Sequence, residues 1–212
     1  MSGDDVYVGG YEVISGVRRA KIWKNGKLRY TFPQNTIEMV YEIAVQGTDI
    51  YVVGYPTAHP VYWKISATNE TSMDVPLLDW AHGITVKGND VYVSGNKGNK
   101  ARYVKNGSAV DLTDGTNYAY CNSIFLSGND VYAVGSEEKS DGTDAPKYWK
   151  NSTAISLTSG NSNTHGNSIF VWNSKVYVAG ADEDAPYLWE DGKQQKLANE
   201  GAVSAVFVVD RP

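Results

Sequence analysis

The sequence predicts an all-β protein, a five-bladed β-propeller, and three observations support this prediction. One short phrase, Gly-x-Asp-Val-Tyr-Val, recurs along the 212 residues at intervals that suit a four-stranded blade. The composition, with 15 Tyr and 21 Gly, is typical of twisted strands joined by tight turns. The two ends of the chain carry complementary parts of one repeat, which is what closure of a ring requires.

The tyrosine of the repeated phrase marks the period. It occurs at Tyr7, Tyr51, Tyr92, Tyr132 and Tyr177, and these positions are 44, 41, 40 and 45 residues apart. Apolar segments before and after this phrase recur with it, so that each repeat accommodates four short strands, A to D. The clearest set of four predicted strands is 123–126, 131–134, 147–149 and 154–157.

Two tight turns recur in each repeat. A Gly-Asn-Asp sequence connects strand A to strand B, and a Lys-Asn-Gly sequence connects strand C to strand D. Because Gly and Asn tolerate positive φ, both sequences predict short hairpins between antiparallel strands. Helical solenoids are excluded, since the 3.6-residue periodicity of amphipathic helices is missing.

The ends of the chain predict how the ring closes. The first repeat has no strand A, and segment 204–208 matches strand A of the other repeats without a strand B after it. We therefore expect the C-terminal strand to close blade one within a single domain, whereas an open β-solenoid would leave two half-blades unpaired. The predicted blades span 4–32 plus 202–209, 41–78, 82–113, 121–158 and 166–198.

Two columns, each a set of residues at equivalent positions of the repeats, are interpreted as having a structural role. A large ring recurs in strand C, where packing between blades is expected and a stacking platform for ligands is the alternative. An aspartate precedes strand B, but it has no second acidic residue at ligand spacing for calcium, so we expect hydrogen bonds within the A-to-B turn. The ring column is Trp23, Trp63, Val104, Trp149 and Trp189, and the carboxylate column is Asp5, Asp49, Asp90 and Asp130.

Charge and cysteine content exclude several classes of function. The 19 Lys and Arg against 24 Asp and Glu give a net charge of −5 with both signs scattered, so neither nucleic acid nor membrane is an expected partner. Cys121 is the single cysteine; it excludes an intrachain disulfide and is predicted to be a buried core residue. The acidic start of the chain lacks the pattern of a signal peptide or a spanning helix. No cofactor or metal is expected.

Candidate binding residues lie at positions where the five repeats carry different residue types. These positions fall on the approach into strand A and just after strand B, which we expect at one end of the central channel, where propellers generally bind ligands. Their mixture of rings, imidazoles, amides and one carboxylate suits a neutral polar ligand such as a sugar, with a wet channel mouth as the alternative. The candidate ligand-binding residues are Trp80, Tyr120, His165, His82, Asn122, Asn167, Glu42, Tyr11, Tyr55 and Asn96.

A catalytic site is the less favoured interpretation. Glycoside hydrolysis needs two carboxyl groups that converge on the bond to be cleaved. Glu42 is the one carboxylate expected on an innermost strand, with Glu38 and Asp79 on connections nearby. A nucleophile elbow and a Gly-rich phosphate loop are missing, and His82 and His165 have no third ligand at a defined spacing for a metal.

In blade number and closure, the whole chain resembles five-bladed β-propeller proteins. Familiar kinds are lectins of the tachylectin-2 type and glycoside hydrolases such as arabinanases and levansucrases. The short tandem blades are more similar to the lectins and to uncharacterised repeat propellers of bacterial secreted proteins. The resemblance implies a non-catalytic module that binds a carbohydrate or a protein partner, as a monomer outside the cell or at its surface. A glycoside hydrolase-like enzyme with a carboxylate site near Glu42 is the alternative.

Overall fold

The protein is an all-β propeller with five blades around a central channel. A computed structural model describes residues 5–56, 58–157 and 163–209. All the regular secondary structure assigned in these ranges is β-strand, as the sequence predicts. The described residues contain no helix that is long and apolar enough to cross a membrane. The inner strands of blades two to five and the C-terminal segment line the channel, which has a volume of about 730 Å³.

Each blade is a meander of antiparallel strands in chain order. Blade one has three strands, β1 (Tyr7–Ile14), β2 (Val17–Lys24) and β3 (Lys27–Thr31). Blades two and three each have four strands, which are β4 (Ile37–Gln46), β5 (Asp49–Pro56), β6 (Val61–Ile65) and β7 (Glu70–Asp74), then β8 (Trp80–Lys87), β9 (Asp90–Lys97), β10 (Lys100–Lys105) and β11 (Ser108–Asp111). Blades four and five are β12 (Ala119–Ser127), β13 (Asp130–Glu138), β14 (Asp144–Lys150) and β15 (Thr153–Ser156), then β16 (His165–Trp172), β17 (Lys175–Ala181), β18 (Pro186–Glu190) and β19 (Lys193–Lys196).

The strands have the predicted places, but the innermost ones are longer than predicted. They begin at Ile37, Trp80, Ala119 and His165, one to four residues before the expected starts at 41, 82, 121 and 166. The extension follows from an irregularity in the pairing near the start of each strand, described below, which lets the strand continue toward one end of the channel.

The predicted tight turns are confirmed by the backbone angles. In the C-to-D turn of blade three, Asn106 and Gly107 have φ values of 47° and 79°, the conformation of a two-residue turn with both central residues at positive φ. In the A-to-B turn of the same blade, Gly88 has φ of 60°. Each turn therefore needs the residue types that made it recognisable in the sequence.

The prediction that the repeated aspartates form hydrogen bonds within the A-to-B turn is wrong. They bind instead to residues of the neighbouring C-to-D turn. Asp90 accepts a hydrogen bond of 2.7 Å from the Asn106 amide and forms an ion pair of 2.7 Å with Lys105. The amide oxygen of Asn106 in turn accepts from the Val91 backbone N–H at 2.9 Å. Because these two turns lie side by side at the same end of the sheet, the recurrent aspartate and lysine form one ion-pair clamp in each of blades one to four. The equivalent ion pairs join Asp5 to Lys24, Asp49 to Lys64 and Asp130 to Lys150.

Blade five keeps this clamp with the charges exchanged. Lys175 stands where the other blades have aspartate, and it pairs with Glu190, which stands where they have lysine. The lysine that interrupts the aspartate column is therefore one half of a reversed ion pair.

The recurrent rings of strand C are packing residues, as predicted. Trp149 and Trp189 are completely buried, and Trp63 is 8% exposed. Within the described part of the chain, the buried indole N–H groups of Trp63 and Trp149 have no hydrogen-bond partner, so apolar contact holds these rings. Cys121 is also fully buried, as predicted.

Hydrophobic clusters fill four of the contacts between successive blades: one with two, two with three, three with four, and four with five. Among the described residues no such cluster joins blade five to blade one. Val6 and Val8 of blade one are 62% and 52% exposed, whereas the equivalent Ile50 and Val52 of blade two are 1% and 0% exposed. The contact between the first and last blades is therefore an open seam.

The C-terminal segment 203–209 takes the inner position next to blade five but has no assigned strand. The Phe207 ring lies 4.7 Å from the Phe170 ring, and the Asn167 side-chain amide donates to the Val203 carbonyl at 2.9 Å. These bonds anchor the segment to β16, and within the described residues β1 pairs only with β2. The expected closure of blade one by a C-terminal strand is thus corrected: the segment occupies the place of strand A without forming its ladder.

Candidate functional site

A β-bulge recurs at the same place in every innermost strand. The register shifts between Val40 and Glu42 in β4 and between Ala81 and Gly83 in β8, with the same shift in β12 and β16. A bulge leaves one extra residue without a partner and bends the strand, and bulges are common beside functional sites. The extra residues are Tyr41, His82, Asn122 and Asn167, three of which are predicted site residues.

Three exposed rings next to these bulges form what we call the aromatic wall, consisting of Tyr41, Tyr55 and Trp80. Their exposed fractions are 42%, 38% and 39%. The Tyr55 ring lies 6.3 Å from Tyr41 and 5.7 Å from Trp80. Burial, with a smaller effect of the neighbouring Tyr55, raises the pKa of Tyr41, so its hydroxyl stays protonated. Blades two and three thus present a continuous apolar surface at the channel mouth, the end where the innermost strands begin.

The imidazole of His82 connects the aromatic wall to blade four. Its ring lies 5.8 Å from Tyr41, and its Nδ1 lies 3.0 Å from Oδ1 of Asn122. The Asn122 amide nitrogen donates to the Gly166 carbonyl at 2.9 Å, so the oxygen faces His82 and Nδ1 must carry the proton. Burial lowers the pKa of His82, and the bond to Asn122 opposes that effect only in part. The histidine is therefore a neutral donor within a bridge across three blades.

A second polar group lies between blades four and five. The Tyr120 hydroxyl is 3.1 Å from Oδ2 of Asp144 and 2.5 Å from Nδ1 of His165, and that nitrogen is 3.3 Å from the same carboxylate oxygen. A hydroxyl has one proton, so with it donated to Asp144 the Tyr120 oxygen accepts from the imidazole N–H. Burial, together with the nearby Asp144 charge, raises the pKa of Tyr120. The ring of Tyr118, which is 42% exposed, lies 6.0 Å from that of Tyr120.

Sequence reasoning missed Asp144, Tyr118 and the contribution of Tyr41. Nothing in the repeat shows that the carboxylate of Asp144, at the start of β14, turns back toward Tyr120. Tyr41 was visible as a member of the variable column. Its place in the wall depends on the bulge, which a sequence does not show.

Other predicted site residues lie elsewhere. Asn96 is 3% exposed, and its amide makes a long bond of 3.4 Å to the Gly98 carbonyl. Tyr11 is 42% exposed, with the Arg18 guanidinium 4.9 Å from its ring centre. Asn167 is occupied by its bond to the C-terminal segment. The structure brings together Tyr55 and Trp80, His82 and Asn122, and Tyr120 and His165.

Glu42 lies inside the channel and bridges three blades. Its Oε2 accepts from the Ile84 backbone N–H at 2.8 Å, and its Oε1 accepts from the Ser123 hydroxyl at 3.3 Å. The residue keeps partial contact with the channel solvent, but the surrounding blades separate its carboxyl group from bulk water. This burial raises the pKa of Glu42 to about 8, against the opposing effect of the two hydrogen bonds.

The carboxylates of the catalytic alternative do not converge. Asp79 is bound to the Lys97 ammonium at 2.7 Å and to the Gly98 backbone N–H at 2.8 Å. Glu38 lines a separate cavity beside Arg18, with a volume of about 300 Å³. Within the described part of the chain, no group of three His, Cys, Asp or Glu side chains is placed to hold a metal ion.

Comparison with known proteins bears on the fold. No protein-family model and no curated protein sequence matches this chain. Two structures of Pyrococcus horikoshii acylaminoacyl peptidase, one uncomplexed and one in an orthorhombic crystal form, share its fold with TM-scores of 0.57 and 0.53 at 11% and 10% identity. The matches cover 92% of this chain but only 37% and 36% of the peptidase, so this chain spans little more than a third of its length. A match of 8% identity covers 94% of this chain and 85% of the β-propeller domain of Cps50 (Swd1) from Myceliophteria thermophila, with a TM-score of 0.47. At such identities the likeness to the two peptidase structures shows the fold alone.

Proposed function

We propose that the protein is a non-catalytic binding module and that its channel mouth binds a carbohydrate. The observation that carries this proposal is the aromatic wall: three partly exposed rings, none belonging to the recurrent packing column, stand next to one another at the mouth. The proposal includes action as a monomer, outside the cell or at its surface, as expected from the sequence.

The physical basis is the two-sided character of a sugar. The C–H face of a pyranose is apolar and stacks on aromatic rings, while its hydroxyl groups need donors and acceptors at the edge of the stack. Trp80 and Tyr55 offer the apolar surface. His82 lies at its border, and the Tyr120, His165 and Asp144 group offers further polar atoms on the next blades.

A protein partner is the second candidate, because exposed Trp and Tyr side chains are also the residues that anchor protein interfaces. The wall has no charged side chain among its three rings, which favours a neutral ligand. The separation of Glu42, Glu38 and Asp79 supports the non-catalytic part of the proposal, since glycoside hydrolysis needs a carboxyl pair.

A glycan array followed by titration of the best ligand tests the proposal, with Trp80→Ala as the principal variant. We expect roughly five- to tenfold weaker binding, since stacking on one ring contributes about 1–1.4 kcal/mol. Tyr11→Ala is the matched control: it removes an equally exposed tyrosine from the repeat position equivalent to Tyr55, but outside the aromatic wall. Its affinity should equal that of the parent protein.

Three results would overturn the proposal. These are no binding to any glycan, equal losses in Trp80→Ala and Tyr11→Ala, or turnover of arabinan- or fructan-like polymers that Glu42→Gln abolishes. The last would identify the chain as an enzyme.

A further inference from the structure

The opposite end of the channel, where the A-to-B turns lie, holds a cavity of about 850 Å³. It lies between blade four, blade five and the C-terminal segment. Among the described residues of its lining no side chain carries a charge, and Ser127 and Asn173 are the only polar ones. The apolar side chains of the lining are Phe125, Leu126, Phe170, Val171, Trp172, Phe207, Val208 and Val209.

Three phenylalanine rings form one wall of this cavity. The Phe125 and Phe170 rings are 4.7 Å apart at 47°, and the Phe170 and Phe207 rings are 4.7 Å apart at 61°. Phe207 is 57% exposed. The row therefore continues from one blade to the next and ends in a ring with much of its surface uncovered.

The repeat itself shows that the fold does not require these rings. Phe125 lies opposite Tyr132, and Phe170 lies opposite Tyr177. At the same register, blade two has Ala44 opposite Tyr51 and blade three has Thr85 opposite Tyr92. Two blades thus form with a small side chain at this position, so packing of the blade does not explain the phenylalanines.

The rim of the cavity departs from the repeat in the same blades. At the end of strand A, Gln46 donates to the Gly88 carbonyl of the next blade at 2.6 Å, and Lys87 donates to the Gly128 carbonyl at 2.5 Å. These two polar bridges span the gaps from blade two to three and from three to four. The equivalent residues of blades four and five are Ser127 and Trp172, and within the described residues neither side chain forms such a bridge.

We propose that this cavity is a binding site for a neutral, apolar small molecule with an aromatic or aliphatic body. Its volume is within the range of about 300–1,000 Å³ that small-molecule sites have. The described lining residues provide no opposite charge for an ionised ligand, so they favour a neutral one. The row of rings supplies flat apolar contact, and Trp172 adds a larger ring at the rim where blades two and three have polar bridges.

The neutral fluorophore N-phenyl-1-naphthylamine is a suitable probe, because its emission rises in an apolar site. We expect saturable binding to the intact chain with one site per molecule. The test variant combines Phe125→Thr with Trp172→Lys, which installs the residues that blade three has at these positions, Thr85 and Lys87. The fold already accepts both residues, and the loss of two rings should weaken probe binding by about tenfold or more.

Trp80→Ala is the control, since it changes the aromatic wall at the other end of the channel and should leave probe binding unchanged. Phe207→Ser is a second variant, on an exposed residue outside any strand, and it should also weaken probe binding. Thermal unfolding of each variant verifies the fold. Absence of saturable probe binding, equal affinity in the two cavity variants and the parent, or loss of binding in Trp80→Ala would each overturn this proposal. None of these outcomes depends on whether the mouth binds carbohydrate.

Discussion

Blades one and two present the same residue pattern, yet only one of them is fully packed. Val8 and Val52 have the same place in the repeat, each opposite the tryptophan of strand C. Val52 is fully buried against blade one, while Val8 is 52% exposed at the open seam. An apolar pattern thus specifies which face can be buried, but burial also needs a neighbour in the right place.

The open seam is the contact that joins the two ends of the chain. Every other contact between blades joins neighbours in sequence, about 40 residues apart, whereas the fifth must bring together segments near residues 6 and 207. The entropy cost of closing a loop rises with its length. For this contact, the packing that is gained is therefore set against the largest loss of chain entropy among the five contacts between blades. The C-terminal segment meets blade five through a side-chain hydrogen bond and a ring contact, and within the described residues no strand pairs with the outer edge of β1.

The largest expected effect compares the tryptophans of a packed seam and the open seam. Trp149→Ala removes a fully buried ring between blades three and four and should lower the free energy of unfolding by about 3–5 kcal/mol. Trp23→Ala removes the equivalent ring beside the open seam and should cost about 1–2 kcal/mol, because less packing is lost. Urea denaturation of both variants provides the measurement. Equal losses would mean that the fifth contact is packed in solution.

The second prediction concerns pH and the buried carboxyl group on the packed side. The pKa of Glu42 is raised to about 8 in the folded protein, so folding favours its protonated form. That contribution to stability is complete below the ordinary pKa of 4.5 and is lost as the pH rises through about 8. Stability should fall between pH 6.5 and 8 by up to about 1.4 kcal/mol per pH unit.

This pH window also separates Glu42 from His82. Burial lowers the pKa of His82 below 6.5, so its contribution has the opposite sign and is lost only as the pH falls below that value. Glu42→Gln should remove the slope between pH 6.5 and 8 in urea titrations. A flat profile for the parent protein, or an unchanged slope in Glu42→Gln, would contradict the burial of an acidic group at this bridge.

The smallest expected effect concerns the reversed ion pair of blade five. Lys175→Asp places a second carboxylate beside Glu190 and should lower the melting temperature slightly, since the pair is exposed. Adding Glu190→Lys restores the arrangement of the other blades and should recover the loss. Differential scanning calorimetry of the two single variants and the double variant measures the coupling. If the double variant is no more stable than Lys175→Asp, the two side chains are not a functional pair.

Much of the fold could be predicted because the repeat exposes it. The period of Tyr7, Tyr51 and Tyr92 set the blades, and the Lys-Asn-Gly turns set the hairpins, since both are local features of the chain. The burial of Trp149 and of Cys121 was also predicted correctly. The predicted hydrogen-bond partner of Asp90 was wrong. Its actual partner, Asn106, lies in the C-to-D turn, which strand pairing brings next to the A-to-B turn although the two are separate in sequence.

The candidate site was harder to predict than the fold. Sequence variation identified Trp80, His82 and Tyr120 as positions that the repeat leaves free, but it could not show which of them touch. Asn96 was predicted as a site residue, and the structure buries its side chain. Asp144 was missed because its contact with Tyr120 depends on how far the B-to-C connection of blade four folds back.

The sequence by itself determined the all-β class, the number of blades and their turns, because these depend on periodicity and on residues that tolerate positive φ. Only the tertiary structure decided three other features: the recurrent bulge that gathers the aromatic wall, the position of the C-terminal segment, and the open seam. Each of these depends on contacts between segments far apart in the chain, where packing and loop entropy compete and no local pattern records the result.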